Sequence, residues 1–312
     1  MRGLFEQYLQ IMPSYAEPRP DRYEIFRQSA LDAILHNLNP DRTWTAAINE
    51  FTGLTMEELT GRALMESQNC SATTPSKPLE NTLDPKALPT VFDWRLLGVV
   101  SPVKNQGNCG SCWTFSTTGA VESHWAIYKI NAPRNLSEMQ LVDCAQDFNN
   151  NGCDGGLPSQ AFEYIKYNNG IDLESAYPYH PKQNPTCNFT KENIGAYVPQ
   201  GSFNISAGDE ASIATYLVSN GPVSIAFEVT KDFMSYDSGV YVGKTCKSDA
   251  QSVNHAVLVV GYGIDRESNK NYWIVKNSWG ATWGQDGYFF IERGSNMCGL
   301  AECASWPIVK GN

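Results

Sequence analysis

No stretch of this 312-residue chain approaches the ~20 consecutive apolar residues that a membrane span requires. Positive charge is also short, with 23 Lys and Arg against 33 Asp and Glu and a formal net charge of −10. From residue 88 onward 15 Lys and Arg face 21 Asp and Glu, which argues against a nucleic-acid backbone as partner. There is no internal repeat and no low-complexity tract. No second Cys-x-x-Cys and no closely spaced histidine pair accompanies Cys109 and Cys112, so no metal or cofactor is expected. The opening Met1-Arg2-Gly3-Leu4-Phe5-Glu6 has an early charge and no apolar run of signal-peptide length, so a leader is expected to be missing from it.

Cysteine, by contrast, is plentiful. Nine residues suit an oxidising compartment, where cysteines are used in pairs, and an odd count leaves one over. Four sequons, at Asn69, Asn135, Asn188 and Asn204, agree with secretion. With 42% hydrophobic and 18% charged residues, the composition is that of a folded soluble chain, long enough for one or two domains and an extension.

Between Pro20 and Pro40, the residues Tyr23, Phe26, Ala30, Ala33 and Ile34 recur at steps suited to one face of a helix, and the first ~65 residues read as a small helical unit. From Cys70 to Pro89 the chain turns to Ser, Thr, Pro, Asn and Lys, an exposed linker open to proteolysis where a zymogen boundary would lie. Ser111 is positioned to cap a helix running to Lys129, where Asn131-Ala132-Pro133 stops it. A further helix is predicted over Pro158 to Tyr167. Short strands follow at 223–227, 256–260 and 272–275. Helices first and strands later predict an α+β fold with two subdomains.

Cys112 sits in Gln106-Gly107-Asn108-Cys109-Gly110-Ser111-Cys112-Trp113, at the start of the predicted helix. The positive end of the helix dipole favours a thiolate there, and the thiolate is the nucleophilic form. A redox pair with Cys109 is the alternative. A base must take the proton. His124 lies twelve residues along the same helix, about 18 Å away, and cannot reach. His36 belongs to the N-terminal unit and His180 to a surface loop, which leaves His255 at the mouth of an apolar strand. A purely structural buried histidine is the bland reading of His255. The side-chain oxygen of Asn277 can fix the tautomer of such a base, and Trp279 two residues on can exclude water, although Asn-Ser-Trp-Gly could equally be only a turn. The amide of Gln106 and the backbone N–H of Cys112 are candidate oxyanion donors.

Together these motifs resemble the papain-like cysteine proteases, and the resemblance spans nearly the whole chain. In that family the histidine follows the nucleophile by about 130 to 150 residues. His255 lies 143 on; Asn277, at 165, falls beyond, partly through the polar insertion 264–270. Papain itself is the general illustration of a histidine-paired cysteine with a pKa of about 3 to 4. The resemblance implies a two-subdomain fold, with a helical and a β-barrel-like half and a cleft between, preceded by a helical propeptide. It implies Cys112 as nucleophile, His255 as base and acid, Asn277 as orienter and Gln106 as oxyanion donor. Gly155-Gly156 would bind substrate backbone, and Trp283 would wall the leaving-group side. Three disulfides are implied, Cys109 with Cys153, Cys144 with Cys187, and Cys246 with Cys298, leaving Cys70 and Cys303 free to bond each other.

Glu66-Ser67-Gln68-Asn69-Cys70-Ser71-Ala72-Thr73 resembles the mini-chain of the cathepsin H branch of the family. In that branch the octapeptide shortens the cleft, and its terminal carboxylate, here that of Thr73, receives the substrate's free ammonium. The implied organisation is an inhibitory propeptide at 1–65, a mini-chain at 66–73, an excised linker at 74–87 and a protease domain at 88–312. The expected product is a lysosomal or secreted aminopeptidase with some endopeptidase activity. Its expected partners are peptide and protein substrates, its own propeptide and protein inhibitors of cysteine proteases. Alternatives are an open-cleft endopeptidase, in which Cys70 merely anchors a spacer, and an inactive disulfide-rich binding protein. The N-terminal unit keeps Arg22, Phe26 and Asn37 of the family's spaced pattern. It departs at Ser29 and Ala33, and at Ala47 and Gly53, where glycine and aspartate are usual. Loss of that aspartate puts in doubt an acid-triggered release through residue 53.

Overall fold

The computed structural model describes residues 1–13, 16–70, 76, 83–84 and 87–310. Its central element is the helix Cys112–Lys129, of which 14 residues are buried, so it is enclosed on nearly all sides. Small residues allow this. A Cβ at Gly119 would meet Leu258 at 3.0 Å, and the Ser116 hydroxyl donates to the Val257 carbonyl at 2.7 Å, so the helix lies tightly on the strand His255–Asp265. Ile130 ends it in the left-handed region. The helix Pro158–Tyr167 begins on a proline, whose missing N–H costs nothing at a helix start, and buries Ala161, Phe162 and Ile165.

His255–Asp265 is buried through nine consecutive residues, which explains its unbroken apolar sequence. It is central in a nine-stranded sheet, pairing antiparallel with Val223–Phe227 on one side and Lys270–Lys276 on the other. One buried cluster gathers Phe233, Tyr236, Trp283 and Phe289 on the sheet side; a second gathers Cys112, Trp113, Phe162 and Ile165 on the helical side. These are the two subdomains of the predicted α+β fold.

The N-terminal unit departs from an all-helical reading. Besides the helices Arg2–Ile11, Arg22–Leu38 and Met56–Leu59, it contributes the strand Trp44–Ala46, which extends the large sheet by pairing antiparallel with Tyr236–Tyr241. The face of Arg22–Leu38 that is buried consists of Arg22, Phe26, Ala30 and Ala33, whereas Ile34 is exposed and Tyr23 only half-buried. Periodicity alone placed Ile34 inside because it adjoins Ala33. Among the described residues, Tyr8, Phe26 and Ala30 form the buried core of the unit's own; Trp44, Phe51, Leu54, Leu59 and Leu64 are buried in the sheet-side cluster. So small a private core cannot balance the entropy of ordering about 65 residues, and the unit's structure depends on the surface that it covers.

Candidate active site

Cys112 is the first residue of its helix, is fully buried, and is the free cysteine beside four disulfides: Cys70–Cys303, Cys109–Cys153, Cys144–Cys187 and Cys246–Cys298. Ser111 precedes the helix as expected, but its side chain makes no cap. Its Oγ instead lies 2.7 Å from the phenol of Tyr179.

The tight seating of the helix on His255–Asp265 brings Cys112 beside the start of that strand. The Ala256 N–H points at Cys112 Sγ at 3.4 Å, one residue beyond His255. His255 Nε2 lies 2.7 Å from Asn277 Oδ1, which also accepts the Ser278 N–H at 2.8 Å. An oxygen accepting from a backbone amide makes Nε2 the donor, so the neutral imidazole carries its proton there and its lone pair on Nδ1. Nδ1 has no hydrogen-bond partner among the described residues. Trp279 stacks on the ring at 4.5 Å between centroids and shields the pair from water.

Gln106 is held from several sides. Its Oε1 accepts the Ser278 hydroxyl at 2.6 Å and its N–H donates to the Ser278 carbonyl at 2.9 Å. Nε2 is thereby aimed at the carbonyls of Cys109, Ala63 and Arg62, at 3.0, 3.2 and 3.1 Å. Two of these belong to the N-terminal unit, whose backbone therefore occupies the donor.

The same segment continues across the site. Met65 is fully buried in the same cluster as Cys112, and a Cβ at Gly110 would come within 3.1 Å of its Cα. The N–H groups of Met65, Gln68 and Cys70 donate to the carbonyls of Asn254, Val253 and Ala250, and that of Glu66 to Asp154. Gly155, at φ +138°, lies under this run: a Cβ there would fall 2.6 Å from Gln68 Nε2 and 3.1 Å from Met65 Cβ. A Cβ at Gly156 would meet the Trp113 ring at 2.8 Å. Trp279 borders an open cavity of about 600 Å³ with Asn105, Asn108 and Thr282. Trp283 stands behind Trp279, edge to face and fully buried, its Nε1 donating to Met234. Thr73 lies outside the described residues. Of the sequons, Asn69, Asn135 and Asn188 are exposed, while Asn204 is half-buried in the strand Ser202–Asn204.

Burial sets the electrostatics. It pushes the Cys112 thiol up to about 11 and the His255 imidazolium down to about 4, in the latter case against the raising effect of the Asn277 bond. Between those values the pair is a neutral thiol beside a neutral imidazole.

Several contributors escaped the sequence reading. Ser278 lies inside the Asn-Ser-Trp-Gly motif and its hydroxyl was a usable signal. Tyr179, in Tyr177-Pro178-Tyr179, and Met65 carry no local signal. Tyr8 explains Gly53: a Cβ at residue 53 would fall 2.6 Å from the Tyr8 ring, so no side chain fits there while Tyr8 is in place.

Residues 88–308 match the family model described as papain family cysteine protease. Cysteine proteinase 3 of Solanum lycopersicum is 53% identical over 92% of this chain and 78% of its own length. Pro-cathepsin H of Mus musculus is 52% identical over 92% and 84%. Among solved structures, the digestive procathepsin L2 proteinase from Tenebrio molitor larval midgut is 37% identical, covers 98% of this chain and 99% of its own, and has a TM-score of 0.85. The recombinant stem bromelain precursor is 33% identical, with 99% coverage of both chains and the same TM-score. With the family's histidine and asparagine joined beside a buried helix-start cysteine, the chain belongs to the papain family of cysteine proteases.

Proposed function

We propose that this chain is a zymogen, destined for the lysosome or for secretion, that becomes an aminopeptidase with some endopeptidase activity. Residues 1–65 are the inhibitory propeptide, 66–73 a retained mini-chain, 74–87 an excised linker and 88–312 the protease. The observation that carries the reading is the Cys70–Cys303 disulfide, which ties an extended run of chain alongside Gly155 to the far end of the sequence. Such a tie survives cleavage on either side of it. A carboxylate at Thr73, fixed in a partly desolvated cleft, would favour a substrate's ammonium and exclude longer chains on that side.

In the processed enzyme, His255 Nδ1 takes the Cys112 proton and the thiolate attacks the scissile carbonyl. Gln106 Nε2 and the Cys112 N–H hold the oxyanion. The imidazolium returns its proton to the departing amine as the C–N bond breaks, leaving a thioester. Water, deprotonated by His255, then cleaves the thioester; the acid leaves and the thiol is restored. Gly155 and Gly156 receive substrate backbone, and Trp279 and Trp283 form the leaving-group wall.

The test is mass spectrometry of processed protein before and after reduction, with hydrolysis of aminoacyl reporters bearing free or blocked N-termini. Release of a peptide ending at Thr73 only on reduction, with preference for free N-termini, is expected. No tethered peptide and equal cleavage of both reporters would establish an open-cleft endopeptidase instead. Failure of a thiol-directed label to modify Cys112 would indicate an inactive scaffold.

A further inference from the structure

We infer that Tyr179 is a positioning residue for the oxyanion hole, its phenol tying the backbone of Gln106 to the residue that precedes the nucleophile. This rests on the oxyanion role proposed above for Gln106. The Tyr179 hydroxyl donates to the Gln106 carbonyl at 2.7 Å and lies 2.7 Å from Ser111 Oγ. A phenol has one proton, so the Ser111 hydroxyl donates to Tyr179; its other acceptor, the Cys109 carbonyl, is more distant at 3.4 Å. The two oxyanion donors, Gln106 Nε2 and the Cys112 N–H, come from opposite ends of a loop that carries Gly107 and Gly110. Tyr179 is the side chain that bonds to both ends. Its own position is fixed: its N–H donates to Glu174 Oε1 at 2.8 Å, and its ring packs edge to face on Phe115 at 4.9 Å. Burial raises the phenol pKa well above its usual value, so the group stays a donor throughout the working pH range.

The consequence is selective. A donor pair held at a fixed spacing stabilises the tetrahedral oxygen more than the planar carbonyl, and so acts on the transition state and little on substrate binding. Alkylation of Cys112 by iodoacetamide builds no oxyanion and should not depend on this tie.

The experiment is Tyr179→Phe in the processed enzyme, alone and with Gln106→Ala. The expected result is a fall in kcat of about tenfold, equivalent to about 1.4 kcal/mol, with KM nearly unchanged. A peptide aldehyde adds to Cys112 and places its former carbonyl oxygen in the hole; its affinity should fall by the same factor. The iodoacetamide rate and its pH profile should stay at wild type. In the Gln106→Ala background the second substitution should cost less than about twofold, because the donor that it positions is gone. Unchanged kcat and aldehyde affinity would overturn the inference. A parallel loss of alkylation rate and thermal midpoint would also overturn it, by revealing general loosening of the site. If Tyr179→Phe does not fold, Ser111→Ala cuts the tie at its other end and should lower kcat and aldehyde affinity together, by about two- to threefold. Wild-type enzyme that neither hydrolyses peptides nor alkylates would count against the protease reading, a separate failure from an intact enzyme indifferent to Tyr179→Phe.

Discussion

His255 and Asn277 meet through Nε2 and Oδ1 at 2.7 Å, and the second acceptor bond from Ser278 to the same oxygen fixes which imidazole nitrogen holds the proton. The imidazole of His255 is therefore set in one tautomer. His255→Ala in the processed enzyme should lower kcat/KM by about 10²- to 10⁴-fold. Asn277→Ala, which leaves the base but frees its ring, should cost about 10- to 100-fold. Steady-state kinetics on a peptide reporter ranks the two, and an equal loss from both would contradict a purely orienting asparagine.

Burial pushes the Cys112 thiol up to about 11, so at pH 7 the neutral thiol is the dominant form. Iodoacetamide should modify Cys112 in the full chain at least about 100-fold more slowly than in the processed enzyme. The full-chain rate should keep climbing as pH rises toward 11. Equal rates at pH 7 would show that the cover leaves the thiolate intact.

Gly53 leaves room that the Tyr8 ring fills. Gly53→Asp in the full chain should displace that ring and lower stability by about 1–3 kcal/mol, read as a reduced thermal midpoint. Adding Tyr8→Ala should recover part of the loss, because the aspartate then has space. A single variant as stable as wild type would show that the ring moves aside freely.

The buried guanidinium of Arg22 donates to both oxygens of Glu58, at 2.8 and 2.6 Å, and to the Gly53 carbonyl at 2.7 Å. Burial is the largest single influence and would raise the Glu58 carboxyl, but the Arg22 bonds, the Thr55 N–H and the nearby positive charges together outweigh it and the net shift is downward. A carboxyl lowered in the folded state stabilises fully above its unfolded value of about 4.5, and that contribution is lost as pH falls through the lower folded value. In full chain carrying Cys112→Ala to prevent self-cleavage, the midpoint should fall steeply below about pH 4.5. Glu58→Gln should flatten that limb, while Arg22→Ala should cost about 3–5 kcal/mol at neutral pH by stranding the carboxylate. An unchanged acid limb in Glu58→Gln would assign the pH sensitivity to other groups.

A second acid-sensitive group lies in the protease domain. His124 is buried against the Pro222 carbonyl and the Trp306 ring, and burial lowers it from 6.5 to about 4. Its neutral form stabilises fully above about 6.5, and the contribution declines as pH drops toward 4. His124→Gln should flatten the thermal midpoint of the processed enzyme across that window. A slope identical to wild type would remove His124 from the account.

The sequence determined the α+β class, the helix starting at Cys112, the helix at Pro158 and the apolar strand after His255, because each is written in local periodicity and punctuation. Helix rise also sets His124 out of reach of Cys112, and His255 is the histidine that the structure places next to Ala256, whose N–H points at the sulfur. The sequence did not reveal that the N-terminal unit lends the strand Trp44–Ala46 to the large sheet, for three residues carry no periodicity and their partners lie about 190 positions away. Nor did it reveal Met65 packed into the same cluster as Cys112, Tyr8 in the space at Gly53, or Tyr179 between Gln106 and Ser111. Those contacts join segments with no local relation in sequence. They exist only once burial has chosen which side chains share a space, and tertiary packing decided them.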